Sequence, residues 1–295
     1  MTALRITAGS TQYASIQRVQ AAAQRLAEQQ AKLSSGQQIT KPSDNPGGAI
    51  SALSLQGQIS RNTQYTANAN DAIGFLTTAD SAYSSIVTQV QKAHDLVLQG
   101  MSTGGSTPAS AGAIAQQIDS LRSGLLAVAN TTYNGALVFG GTSSGTVAYD
   151  SSGTYQGDNG AVTRTIGPGN TVTINQTGTS VFGANGSNIF DTLTAISTAL
   201  TTNPSSLGTQ LTALTNQLNS LSASQASEGA TYNQVQTALT VADTAATQLK
   251  VNLADVSEID FPQTVIDVTS ANTAYQAALQ TTATISQRSL LDFIQ

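Results

Sequence analysis

The chain has 295 residues and a mass of 30.1 kDa, enough for one large domain or two small ones. Only 9% of the residues are charged and the net charge is -5, which argues against a nucleic-acid partner, because that needs a basic face. The lack of Cys and the single His argue against disulfides, thiol chemistry, His-cluster metal sites and any bound cofactor, and no apolar run reaches the roughly 18 residues of a membrane helix.

The N-terminal segment carries no basic start followed by an apolar run, so no Sec-type signal peptide is expected. Its first periodic pattern has Val19, Leu26 and Leu33 spaced by sevens, with Ile16 and Ala23 on the adjoining seam position. After Lys41-Pro42-Ser43-Asp44-Asn45-Pro46 a long helix is predicted, with Asn45 as its cap and Pro46 opening it. Its seam runs Tyr65, Ala69, Ala72, Leu76, Ala79, Tyr83, Ile86, Val90, Ala93, Val97 and ends near Gly100. A Gly/Ser/Thr/Pro loop at 102–110 precedes a third helix through Ile114, Ile118, Leu121, Leu125 and Val128.

Residues 136–189 are rich in Gly, Thr and Asn and nearly uncharged. There Val162, Arg164 and Ile166, then Val172 and Ile174, alternate with Thr across Gly167-Pro168-Gly169-Asn170, which predicts a β-hairpin. A second long seam steps by four and three from Leu207 through Leu211, Leu214, Leu218 and Leu221, admits Gln225 and Glu228, and resumes from Tyr232 to Val256. Asn203-Pro204 is its predicted start and Asp260-Phe261-Pro262 its stop. The last pattern is Val265, Val268, Asn272, Tyr275, Leu279, Thr282, Ser286.

Residues 1–61 hold six Lys/Arg against two Asp/Glu, whereas residues 228–295 hold two against seven. Opposite charge on two heptad-patterned ends predicts that the ends pair, within one subunit or between neighbours. The expected fold is therefore mainly α with a small inserted β domain: an elongated rod of long antiparallel coiled-coil helices formed by both chain ends, with the β module at the outer tip. Its expected parts are terminal coiled-coil helices at 1–44 and 262–295, a helical rod at 45–135 and 190–261, and a β-rich outer domain at 136–189. The terminal seams are thin and Ala-rich, so they are expected to be poorly ordered in the free monomer and to fold on assembly.

Catalytic patterns are weak. Gly141-Thr142-Ser143-Ser144-Gly145 fits G-x-S-x-G, but no helix is predicted after it, and His94 lies upstream, against the chain order of such hydrolases. Acids show no metal-ligand spacing, and no Gly-rich phosphate loop precedes a helix. The expectation is a non-enzymatic chain whose working surfaces are its terminal seams: Ile16, Val19, Leu26 and Leu33 with Val265, Val268, Tyr275 and Leu279.

The stretch Leu33-Ser34-Ser35-Gly36-Gln37-Gln38-Ile39-Thr40-Lys41-Pro42-Ser43-Asp44-Asn45-Pro46, followed by Gln64-Tyr65-Thr66-Ala67-Asn68, resembles the N-terminal motifs of the flagellin family. Within that family, Tyr155-Gln156-Gly157-Asp158-Asn159-Gly160, Val181-Phe182-Gly183 and the ending Ser289-Leu290-Leu291-Asp292-Phe293-Ile294 are more similar to a junction-layer member than to the filament subunit. The resemblance implies a structural role in the bacterial flagellum, in the layer between hook and filament, outside the cell. It implies export by the flagellar type III system without a cleaved signal. The implied partners are the hook-side junction protein, flagellin, further copies of the chain in a ring or helical layer, and a cytoplasmic export chaperone on the C-terminal helices at about 230–295. A filament subunit with a short outer domain is the alternative, and a secreted adhesin is the more distant one.

Overall fold

The computed structural model describes residues 8–102 and 107–294. Among the described residues the helices are α1 (Ala8–Ser35), α2 (Pro46–Ser102), α3 (Pro108–Ala129), α4 (Gly178–Phe182), α5 (Ile189–Thr202), α6 (Leu207–Ser257) and α7 (Phe261–Ile294). The strands β1 (Thr132–Tyr133), β2 (Ala136–Leu137), β3 (Thr163–Gly167) and β4 (Asn170–Thr173) pair as two antiparallel hairpins, β1 with β2 and β3 with β4. The chain divides into two compact units, residues 1–61 with 246–295, and residues 62–245.

The unit of residues 62–245 holds the core. On α2, Ala69, Ala72, Leu76, Ala79, Tyr83, Ile86, Val90, Ala93 and Val97 are all buried, as the spacing predicts, with Tyr65 half-buried. On α6 the buried positions recur every seven residues: Leu207, Leu214, Leu221, Glu228, Val235 and Ala242. A strict seven-residue repeat keeps one narrow stripe of a helix against its neighbour. The buried Asn62 donates to the Ala242 carbonyl at 2.7 Å, and Gln225 to Asp80 at 3.2 Å, so α6 lies beside α2 in this unit. On α3 Ile114, Ile118 and Leu125 are buried, and α3 packs on α5. Helix α5 starts with a capping box, in which Asn188 Oδ1 accepts the Asp191 N–H and the Asp191 carboxylate accepts the Asn188 N–H.

The β3–β4 hairpin falls where the alternation placed it, with Arg164 opposite Val172 and Ile166, Val172 and Ile174 buried. It is tied to α2 by two bonds: Arg164 Nε to Asp71 Oδ2 at 2.7 Å, and Asn68 Nδ2 to the Thr165 carbonyl at 2.8 Å. The β1–β2 turn uses Asn134 and Gly135, both at positive φ (49° and 81°), as the tightest hairpin turns require. Between the hairpins and the helices lies an aromatic cluster. Phe139 meets Tyr83 and Phe182 edge-on, and Phe182 and Tyr149 each contact Phe190.

Two predicted helix ends differ from the structure. Asn203 does not cap α6 with its side chain: it accepts the Ser205 hydroxyl at 2.6 Å, because Pro204 opens one 3-10 turn, Pro204–Ser206, ahead of the helix. Helix α6 stops at Ser257, and the predicted stop signal begins the next helix instead. Asp260 Oδ1 accepts the Gln263 N–H at 3.2 Å, and Pro262 lies within the first turn of α7.

Candidate assembly interface

The unit formed by the two chain ends is built from α1 and α7 together with the first turns of α2 and the last turns of α6. Gly36 ends α1 at φ 68°, its N–H bonded to the Lys32 carbonyl at 2.9 Å, the usual left-handed stop. The Gln38 N–H reaches the Ser257 carbonyl at 2.8 Å and the Ile259 N–H the Gly36 carbonyl at 3.2 Å. The end of α1 thus meets the start of α7, and the two helices run antiparallel.

The loop between α1 and α2 explains the physical content of its motif. Asp44 Oδ2 accepts the Thr40 hydroxyl at 2.8 Å, the Lys41 N–H at 2.9 Å and the Thr40 N–H at 3.2 Å. The Thr40 hydroxyl first, and then the Lys41 N–H, hold its carboxyl below the ordinary 3.8. Asn45 then caps α2 by accepting the Gly48 N–H at 2.9 Å, as predicted.

The α1–α7 seam keeps one of its two predicted sets of positions and moves the other by one residue. On α1 the buried or half-buried positions are Ser15, Val19, Ala22, Ala23, Leu26, Gln29, Lys32 and Leu33; on α7 they are Thr264, Asp267, Val268, Ala271, Tyr275, Ala278 and Thr282, so the predicted Ala23 and Thr282 are in the seam as well. Of the residues singled out from spacing, Val19, Leu26, Leu33, Val268 and Tyr275 are therefore in the seam and half-buried. Ile16, Val265 and Leu279 are not: they are 43%, 39% and 43% exposed. The physical reason is packing. The small Ser15, Ala22, Thr264, Ala271 and Ala278 fit between Val19, Leu26, Leu33, Val268 and Tyr275 without the overpacking that Ile16, Val265 and Leu279 would bring. Asn272 is exposed too, and the side chain of Ser286 lies outside the described residues. Among the described residues no ion pair joins α1 to α7, so the opposite charges of the ends are not spent on specific pairs there.

This unit is deficient in core. Every buried apolar side chain among the described residues lies between Ala69 and Ala242, whereas the unit of the ends buries only Ser15 and Thr264. Its surface carries Tyr13, Ile50, Leu53, Phe261 and Ile266 at 61–71% exposure. Ile50 and Leu53 form one side of an open groove of about 1220 Å³ that Ile39, Pro46 and Leu253 complete. Scattered apolar residues need no explanation, but several large ones on one unit with no fully buried apolar side chain among its described residues do.

The catalytic pattern has no geometry behind it. Thr142, in the G-x-S-x-G stretch, is held by Asp158, which accepts its N–H at 2.6 Å and its hydroxyl at 2.9 Å. Ser143 Oγ accepts the Gly145 N–H at 3.2 Å, so the segment is a fixed turn. His94 contacts Asp95 on the same helix at 3.6 Å. Among the described residues no cluster of metal-binding side chains occurs, and no helix is long and apolar enough to cross a membrane.

Residues 7–144 match the bacterial flagellin N-terminal helical region. Flagellar hook-associated protein 3 of Escherichia coli K12 is 24% identical over 273 residues, covering 84% of this chain and 86% of that protein. Two solved structures share the fold. A flagellar hook-associated protein of Vibrio parahaemolyticus aligns with a TM-score of 0.68 at 18% identity, over 73% of this chain and all of that one. FlgL of Bacillus cereus aligns at 0.61 and 21% identity, over 68% of this chain and 99% of that one. The chain resembles the flagellin family and, within it, the hook-filament junction proteins, and these relatives are structural proteins rather than enzymes.

Proposed function

We propose that this chain is a non-enzymatic structural subunit of the bacterial flagellum that forms the junction layer between hook and filament. The observation that carries the reading is the unit of the chain ends, whose helices expose Ile50, Leu53, Phe261 and Ile266 and, among the described residues, bury no apolar side chain fully. Such a unit is marginal alone and gains its stability when further subunits cover it. Ile16, Val265 and Leu279, turned away from the α1–α7 seam, are available for that contact, while Val19, Leu26, Leu33, Val268 and Tyr275 hold the pair together. A head-to-tail contact of this kind that does not close generates a helical layer. One axial face meets the hook-side junction protein and the other meets flagellin. The chain leaves the cell through the flagellar type III system without a cleaved signal. A cytoplasmic chaperone covers the C-terminal helices at about 230–295 until then, and the ends order on assembly.

The test is the copy number of the chain in purified hook–filament particles, by quantitative mass spectrometry against the major filament subunit. On the order of one helical turn of subunits per filament is the expected result. Abundance equal to the major subunit would assign the chain to the filament itself, and absence from the particles would remove the flagellar role.

A further inference from the structure

We infer that Glu228 is a proton-controlled lock in the core of the unit of residues 62–245: as the neutral acid it completes the packing of α6 beside α2, and as the carboxylate it loosens that packing. The inference rests on the placement of the side chain and is independent of the flagellar reading. Glu228 is the fourth of six positions that α6 turns into the core at intervals of seven, and Leu207, Leu214, Leu221, Val235 and Ala242 occupy the others. It is 7% exposed, and neither carboxyl oxygen has a hydrogen-bond partner in the protein.

The neighbours explain why ionisation is unfavourable there. From α2, Tyr83 and Asp80 act on Glu228 electrostatically. The Tyr83 hydroxyl is buried and also without a partner. Asp80 is a like charge, held beside α6 by Gln225 at 3.2 Å. From the segment after β4, Gln176 donates to the Ser224 carbonyl at 2.7 Å and brings no charge. No cation is among these groups. A buried carboxylate without donors is costly, whereas the protonated acid carries no net charge into the core. Burial first, and then the Asp80 charge, push the Glu228 carboxyl up from 4.5 to about 8. Its stabilising contribution is therefore complete below 4.5, the value in the unfolded chain, and is lost as the pH rises through about 8.

The experiment follows unfolding of the full-length chain by circular dichroism between about pH 5 and 9, for the wild type, Glu228→Gln and Glu228→Leu. One linked proton makes the wild-type unfolding constant rise about tenfold per pH unit relative to both variants across this window, levelling above about pH 8. Parallel profiles for all three proteins would overturn the inference. A second readout needs no variant. Carbon-13 labelling of the glutamates, Glu28, Glu228 and Glu258, should show one side-chain carboxyl titrating near pH 8, and titration of all three below about pH 6 would equally overturn it.

Discussion

Removing the ion pair between Arg164 and Asp71 should loosen the β3–β4 hairpin from α2 while leaving the helices of the same unit folded. The pair is 2.7 Å apart, with side chains 33% and 34% exposed. At that separation Coulomb attraction is about 1.5 kcal/mol in water and about 6 kcal/mol at an effective dielectric of 20, before desolvation and side-chain entropy are subtracted. Fully exposed pairs retain about 0.2–1 kcal/mol, and hydrogen bonds to charged groups about 1.5–3 kcal/mol. A pair one-third exposed belongs between these limits, so the coupling should be about 1–2 kcal/mol. The assay is a double-mutant cycle in urea with Asp71→Ala, Arg164→Ala and the double variant. The cycle is needed because Asp71 also accepts the Tyr133 hydroxyl at 3.3 Å, so Asp71→Ala alone removes two bonds. Amide exchange at Thr165 and Thr171 should rise in each single variant. A coupling under about 0.3 kcal/mol at low salt would refute the reasoning and leave Asn68 and the buried Val172 as the anchors of the hairpin.

Further predictions address both units. Leu26→Asp places a charge in the half-buried α1–α7 seam and should cost that pairing about 2–4 kcal/mol. The variant should be absent from purified hook–filament particles while the thermal transition of residues 62–245 stays unchanged, and normal motility would contradict the role given to the seam. Leu214→Ala deletes a fully buried side chain and should lower the stability of its unit by about 2–5 kcal/mol in urea unfolding. Asn188→Ala removes the α5 cap and a buried bond to the Gly153 carbonyl at 2.9 Å, and should cost about 1–3 kcal/mol by the same measurement. The Asp158 carboxyl is held below the ordinary 3.8, chiefly by the Gly160 and Thr142 N–H groups, so its bonds stabilise the turn above that value and are lost as the pH falls through its lowered one. Protection of the Thr142 and Gly160 amides, relative to their intrinsic exchange rates, should fall there in acid and stay constant with pH in Asp158→Asn.

Some of the fold escaped a reading by period. Helix α5 was within reach: Asn188 and Asp191 stand at capping-box spacing, and Ile189, Leu193, Ile196 and Leu200 follow at helical steps. It falls within the 190–261 stretch expected to be helical, but its own start and end were not resolved from the seam that begins at Leu207. The β1–β2 hairpin had its own signal in Asn134-Gly135, but strands of two residues leave no alternation to count. The polar break at Gln225 and Glu228 was visible in the α6 seam; that Gln225 turns to Asp80 while Glu228 goes inside was not.

The sequence by itself determined the α2 seam, the start of α2 at Asn45-Pro46 and the β3–β4 hairpin. Each of these depends on residues close together in the chain, where side-chain periodicity and capping chemistry act directly. Which stripe of α1 faces α7 was decided only by the tertiary structure. Hydrophobicity favoured Ile16, Val265 and Leu279 at the alternate positions, where the structure instead turns in Ser15, Thr264, Ala271 and Ala278, small enough to fit beside Leu26, Leu33 and Tyr275. The same holds for Glu228, because a charge in a seam becomes costly only once a second helix has displaced its water.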